Sequence, residues 1–139
     1  MRDAIADLAP SAVAKGIALA AELTGPALVV PFDHDRVLQV LENLIGNAVK
    51  FTPSGGRVLL RVSPTAADVR FTVEDTGPGV AGDVHSIFDP FTQGTNISRH
   101  GLGLGLYISR CIVAAHGGKI WVDKTSSEGS VFCFTLPRA

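Results

Sequence analysis

Asn43, Asn47 and Lys50 stand at i, i+4 and i+7 within residues 43–51, which read NLIGNAVKF. On a helix of about 3.6 residues per turn they share a sector roughly 60° wide. Two carboxamides beside an ammonium suit a hydrated magnesium ion and the phosphates it accompanies. They also suit an ordinary solvated helix face, and this segment alone does not choose between the two. Asp75 is a second candidate. It continues the parity of Val69, Phe71 and Val73, so its carboxylate should project on the apolar side of a strand end. There it can cap the turn Thr76-Gly77-Pro78-Gly79, or accept a hydrogen bond from a ligand's amino group on a pocket floor, with Gly77 and Gly79 allowing close backbone approach. A third candidate is Gly101-Leu102-Gly103-Leu104-Gly105-Leu106, glycines that run into a helix. Such a run offers free backbone N–H groups to an anion, or serves only flexibility. It is neither a Walker loop nor a dinucleotide fingerprint: the chain has no GxxxxGK[ST], and the third glycine comes one residue early.

These side chains need elements to hold them. Residues 17–23 and 27–30 read as short strands joined by Thr24-Gly25-Pro26, and Asp33 is placed to cap a helix over about 35–51. Val37, Leu41, Leu44, Ile45 and Ala48 form its apolar side, opposite the polar stripe. Glu42 is offset by about 100° from Asn43 and does not join that stripe. After Thr52-Pro53-Ser54-Gly55-Gly56, a hairpin alternates Val58, Leu60 and Val62 with arginines, then Val69, Phe71 and Val73 with polar residues. A long polar connection, 80–101, leads to a helix over about 104–116. Strands at 119–123 and 130–136, joined by a turn at 124–129, complete the sheet.

Composition bounds the rest. The 139 residues, 46% hydrophobic and 18% charged, fit one domain with one core. A net charge of −1 gives no electrostatic reason to expect nucleic acid or an anionic membrane as partner. No apolar run approaches the roughly 18 residues that span a bilayer, and MRDAIADLAP does not read as an export signal. Cys111 and Cys133 are too few for a disulfide framework and read as buried, reduced thiols. His34, His85, His100 and His116 lack metal-ligand spacing.

Taken in order, NLIGNAVKF, Asp75-Thr76-Gly77-Pro78-Gly79, Phe88-Asp89-Pro90-Phe91 and the run Gly101 to Leu106 resemble the N, G1, F and G2 boxes of the catalytic, ATP-binding domain of sensor histidine kinases. Lys50-Phe51-Thr52-Pro53 with Gly55-Gly56, Ala115-His116-Gly117-Gly118, and Gly129-Ser130 before Phe132, Phe134 and Leu136-Pro137 match as well. The resemblance extends from about Asp7 onward, and only Leu102 and a short lid depart from the pattern.

It implies an α+β Bergerat fold, a two-layer α/β sandwich with a mixed, mainly antiparallel sheet and helices on one face. ATP and magnesium are the implied cofactors. Asn47 would be the metal ligand with Asn43 supporting it, Lys50 would contact phosphate and Phe51 would pack beside the purine. Asp75 would accept from the adenine amino group, with Gly77 and Gly79 shaping the pocket. Phe88 and Phe91 would anchor the lid, and Gly101, Gly103 and Gly105, with Leu102 and Leu104 between them, would form its hinge around the triphosphate. Arg99 would meet the terminal phosphate or lie solvated on the lid. Thr135 would reach the adenine edge or be an ordinary strand threonine.

The implied activity is donation of the γ-phosphoryl group to a histidine on a separate dimerisation hairpin, the full-length kinase then serving a response regulator. Related hydrolytic ATPases, such as gyrase, carry a glutamate where Asn43 stands; a carboxamide is a poor base. None of the four histidines lies in a His-Glu-x-x-x-Pro context. With Met1 only a few residues before the first strand, the chain reads as an excised catalytic domain, residues 1–139, that binds ATP without autophosphorylating. It would be cytoplasmic, whether or not the full-length protein is membrane-anchored. The rival classes are a nucleotide-binding module that has lost transfer, and a serine kinase or hydrolytic ATPase of the same superfamily.

Overall fold

Alternation at every second residue lays down the centre of the sheet. In β2 (Arg57–Pro64) the residues Val58 and Leu60 are buried, and in β3 (Asp68–Asp75) Val69, Phe71 and Val73. The computed structural model describes residues 2–23, 33–79, 87–88 and 102–137. Its other strands are β1 (Ala18–Leu23), β4 (Ile120–Ser126) and β5 (Gly129–Pro137). Their order is β1-β2-β3-β5-β4; β1 and β2 run parallel and the remaining pairs antiparallel. A parallel pair cannot be closed by a tight turn. The connection between β1 and β2 contains α2 (His34–Phe51), which returns across the sheet.

The local sequence explains where α2 begins. Asp33, in an extended conformation, accepts from the backbone N–H groups of Asp35 and Arg36 and so satisfies two of the donors that a helix start leaves open. The face opposite the polar stripe is buried at Val37, Leu41, Leu44, Ile45, Ala48 and Val49, and so is Val40, which lies closer to the stripe. It packs on Leu60, Val73, Phe134 and Leu136 of the sheet and on Val113 of α3 (Leu102–Ala115). Phe71 and Phe134 stack at the middle of that core, ring centroids 4.5 Å apart and nearly parallel.

Three boundaries differ from expectation. The segment read as a short lead-in to β1 is a helix, α1 (Arg2–Lys15). Pro10 lies inside it, a residue that normally argues against helix; packing overrides the local preference, with Ala12 fully buried and Ile5 and Leu8 against the core. Gly46 leaves room for Leu8, whose Cδ2 lies 4.0 Å from where a Cβ would stand. Second, α3 begins at Leu102, so Gly103 and Gly105 belong to its first turn rather than to a hinge before it. First-turn N–H groups lack helical partners whatever the residue, which makes glycine tolerable there. Third, β4 runs on to Ser126 and the turn to β5 is correspondingly tight. The strand expected at 27–30 lies outside the described residues, and no described helix is long and apolar enough to cross a membrane. Cys133 is buried as expected, whereas Cys111 lies on the exposed side of α3.

Candidate functional site

Register brings the acid to its place. Val69, Phe71, Val73 and Asp75 of β3 pair with Leu136, Phe134, Phe132 and Ser130 of β5, all on the helix-covered side. Ser130, 5% exposed, donates its hydroxyl to Asp75 Oδ2 at 2.8 Å, and the Gly77 N–H donates to Oδ1 at 2.9 Å. A carboxylate tied at both oxygens holds a fixed direction, and each oxygen keeps capacity for a further donor. The turn that follows is tightly seated. A Cβ on Gly77 would come within 3.3 Å of the Phe51 carbonyl oxygen. Gly79 has φ +83°, and a Cβ there would strike the Ser126 carbonyl at 2.1 Å. Both readings of Asp75 are therefore compatible: it caps its own turn and remains at the end of the apolar row.

Asn43, Asn47 and Lys50 lie along α2 as their spacing predicts, the two carboxamides half-buried and the ammonium exposed. Asn43 also braces α2 against α3. Its Nδ2 donates to the Gly105 carbonyl at 3.2 Å and to the buried Ser109 hydroxyl at 3.1 Å. Because a backbone carbonyl only accepts, this fixes the amide orientation and turns Oδ1 away from α3. Gly105 is small where the two helices meet; a Cβ would stand 3.9 Å from Asn43 Cγ. Glu42 faces the other way. Burial, the charge of Asp7 on α1 and a hydrogen bond between the two carboxyls raise its pKa above the ordinary carboxylate value.

At the carbonyl end of α2, Phe51 is 42% exposed, an unusual setting for a large apolar side chain, next to the Asp75 turn. Thr52 beside it is fully buried, and its hydroxyl has no hydrogen-bond partner among the described residues. Such a group leaves about 1–3 kcal/mol unrecovered unless a water or a ligand meets it. Phe88 is 5% exposed and sets its edge against Phe132 at 6.2 Å, which pins that end of the long connection to the sheet.

Other expected residues fall elsewhere. Thr135 pairs with Arg70 on the bare side of the sheet, and its hydroxyl accepts from the Lys119 N–H. Strand parity thus sets it on the face away from Asp75, and the hydroxyl on the Asp75 side belongs to Ser130. Phe91, Arg99 and Gly101 lie outside the described residues, as do the side chains of Leu102 and Leu104, while Gly103 is placed only as part of the α3 backbone. Sequence reasoning passed over Ser130 and Ser109. For Ser130 the signal existed, since it shares the parity of Phe132, Phe134 and Leu136; for Ser109 the helix face alone gave none.

Among the described residues no cluster of three or more His, Cys, Asp or Glu side chains could hold a metal ion. The neutral oxygens of the α2 stripe suit magnesium that arrives with phosphate and keeps part of its water shell.

Residues 32–139 match the model of the family described as histidine kinase-, DNA gyrase B-, and HSP90-like ATPase. The adaptive-response sensory kinase SasA of Synechococcus sp. (strain JA-2-3B'a(2-13)) is 41% identical over 136 residues, which cover 96% of this chain and 36% of that kinase. Among solved structures, full-length ShkA in complex with AMPPNP superposes with TM-score 0.88 at 41% identity, covering 99% of this chain and 29% of ShkA. The nucleotide-free catalytic domain of histidine kinase ThkA gives 0.85 at 32% identity, covering 99% of this chain and 88% of that one. ThkA in complex with the response regulator TrrA gives 0.80 at 28% identity, covering 99% and 39%. The chain thus spans about a third of the length of the curated relative.

Proposed function

Since the chain belongs to the histidine kinase-, DNA gyrase B-, and HSP90-like ATPase family and has the Bergerat fold of sensor histidine kinase catalytic domains, we propose that it binds Mg-ATP between Asp75 and the α2 stripe and donates the γ-phosphoryl group to a histidine on a separate dimerisation hairpin. The observation that carries this reading is the orientation of the Asp75 carboxylate, fixed by Ser130 and Gly77 at the helix-covered end of β3. Adenine offers an amino donor at its 6-position, which a carboxylate accepts. Phe51 packs on the base, and Gly77 and Gly79 keep that wall thin.

Asn47 would hold the metal, Asn43 Oδ1 would face it from one turn earlier, and Lys50 would bind phosphate. Bound magnesium supplies charge neutralisation on the phosphates. Phoshoryl transfer needs positioning and charge stabilisation more than covalent chemistry from the protein. No base stands at Asn43, whose nitrogen is committed to α3, and Glu42 is turned to Asp7. That arrangement favours transfer to a side chain over hydrolysis. In this reading Phe91, Arg99 and Gly101 would serve as lid and hinge, ahead of the first turn of α3 that holds Gly103 and Gly105. A response regulator would be the downstream partner; the related ThkA is known in complex with the response regulator TrrA.

Calorimetry with Mg-ATP tests the pocket. Wild type should bind and Asp75→Ala should not; equal affinity would contradict the assignment. Mixing the domain with its hairpin and γ-labelled ATP tests the transfer. Label on histidine supports it, and free phosphate alone supports hydrolysis. Without the hairpin no protein-bound label is expected.

A further inference from the structure

The carbonyl end of α2 has an unusual problem. Its C-cap, Thr52, is extended (φ −78°, ψ 127°) rather than left-handed, and the next residue is Pro53. Helices commonly end by donating the N–H of the residue after the cap back to the last turn, and proline has none. The last carbonyls of α2 therefore need a donor from outside. Lys15, the final residue of α1, provides it: Nζ donates to the Val49 carbonyl at 3.0 Å and also to the Lys50 carbonyl. A cation at this end also complements the helix dipole.

The ammonium is anchored at its base. Gly16, at φ +78°, ends α1, and its carbonyl accepts from the Gly55 N–H at 2.9 Å. A Cβ at Gly16 would lie 2.6 Å from Ser54 Oγ, so the chain at Lys15 is pressed on the turn that follows α2. The turn of α2 that Lys15 grips carries Lys50 and Phe51, and its far side touches Gly77 next to Asp75. Lys15 lies outside residues 32–139, the span matched by the family model.

We propose that Lys15 is a positioning residue of the nucleotide site: by bonding the Val49 and Lys50 carbonyls it sets the last turn of α2, and through it the directions of Lys50 and Phe51. This rests on the nucleotide-binding reading above. It makes α1 a working part of the site, acting through the last turn of α2.

The experiment is calorimetric titration of Mg-ATP into the full chain as wild type, Lys15→Met, Lys15→Arg, Lys50→Ala and Phe51→Ala, with the two double variants that combine Lys15→Met with each α2 change. Lys15→Met should weaken binding about 3- to 10-fold, less than the full worth of a charge-assisted hydrogen bond because the change reaches the nucleotide only through α2, and Lys15→Arg should recover part of that loss. The double variants should lose less than the product of the single losses, because Lys15 acts through the residues already removed. A purely structural lysine would lower the melting temperature without this coupling. Lys15→Gln, which keeps a neutral donor, replaces Lys15→Met in the same cycles should the methionine variant not fold. Unchanged affinity in a folded Lys15 variant, or full additivity with both Lys50→Ala and Phe51→Ala, overturns the inference alone. Failure of wild type to bind Mg-ATP would overturn the functional reading and this inference with it.

Discussion

The two faces of the β3–β5 pair are built from the same two strands, yet they do different work. On the helix-covered face the rows run from Val69 with Leu136, through the stacked Phe71 and Phe134, to Asp75 with Ser130. Burial increases the precision of this row, and the polar pair at its end inherits a fixed geometry. On the bare face, Arg70 reaches over Trp121 and toward Asp123 at 3.6 Å, and Arg61 lies between Glu22 and Glu74. Those pairs are largely solvated and screened. A charged residue on one face can thus serve a ligand while its sequence neighbour on the other serves solubility.

Substitutions along the two rows should separate them. Phe134→Ala should cost the most, about 3–5 kcal/mol of stability in urea unfolding, because it empties a fully enclosed ring from the stack. Asp75→Ala should leave the fold intact and lower ATP affinity at least about 100-fold, since the base loses a charged acceptor. Ser130→Ala should raise the ATP Kd by about 5- to 10-fold by freeing one carboxylate oxygen, whereas Thr135→Ala on the bare face should stay within about twofold. Equal effects of those two would break the comparison. Arg61→Ala should shift stability by less than about 1 kcal/mol, its guanidinium being half exposed beside Glu22 and Glu74.

The smallest effect is a pH dependence on the far side of α2. Glu42 has its pKa raised from 4.5, by burial first and then by Asp7. A raised folded-state value means that the folded protein holds the proton more tightly, so this contribution is present below about pH 4.5 and fades as pH rises through the folded value. Glu42→Gln should therefore gain on wild type in melting temperature between acid and neutral pH, and differ little below pH 4.5. A constant difference across that range would place the shift elsewhere.

What the sequence made legible follows the same division. The alternation of β2 and β3, the Asp33 cap and the stripe of α2 are local signals, and each was readable from spacing. The position of Asp75 came from parity alone. The same rule, extended to β5, selects Ser130 over Thr135. Helix α1 was hidden because Pro10 argues strongly against a helix interior while its scattered alanines, good helix formers, mark no apolar face; packing of Ile5, Leu8 and Ala12 against the core overrides the proline. The Asn43–Ser109 brace and the Lys15 bonds join residues 66 and 34 or more positions apart, and no short-range pattern announces such contacts.

Base selectivity tests the central claim most directly. A carboxylate fixed by Ser130 and Gly77 accepts from the 6-amino group of adenine and meets only the 6-carbonyl of guanine, so titration should show ATP bound at least about tenfold more tightly than GTP, with Asp75→Asn narrowing that preference. Equal affinities of wild type for ATP and GTP would contradict the account.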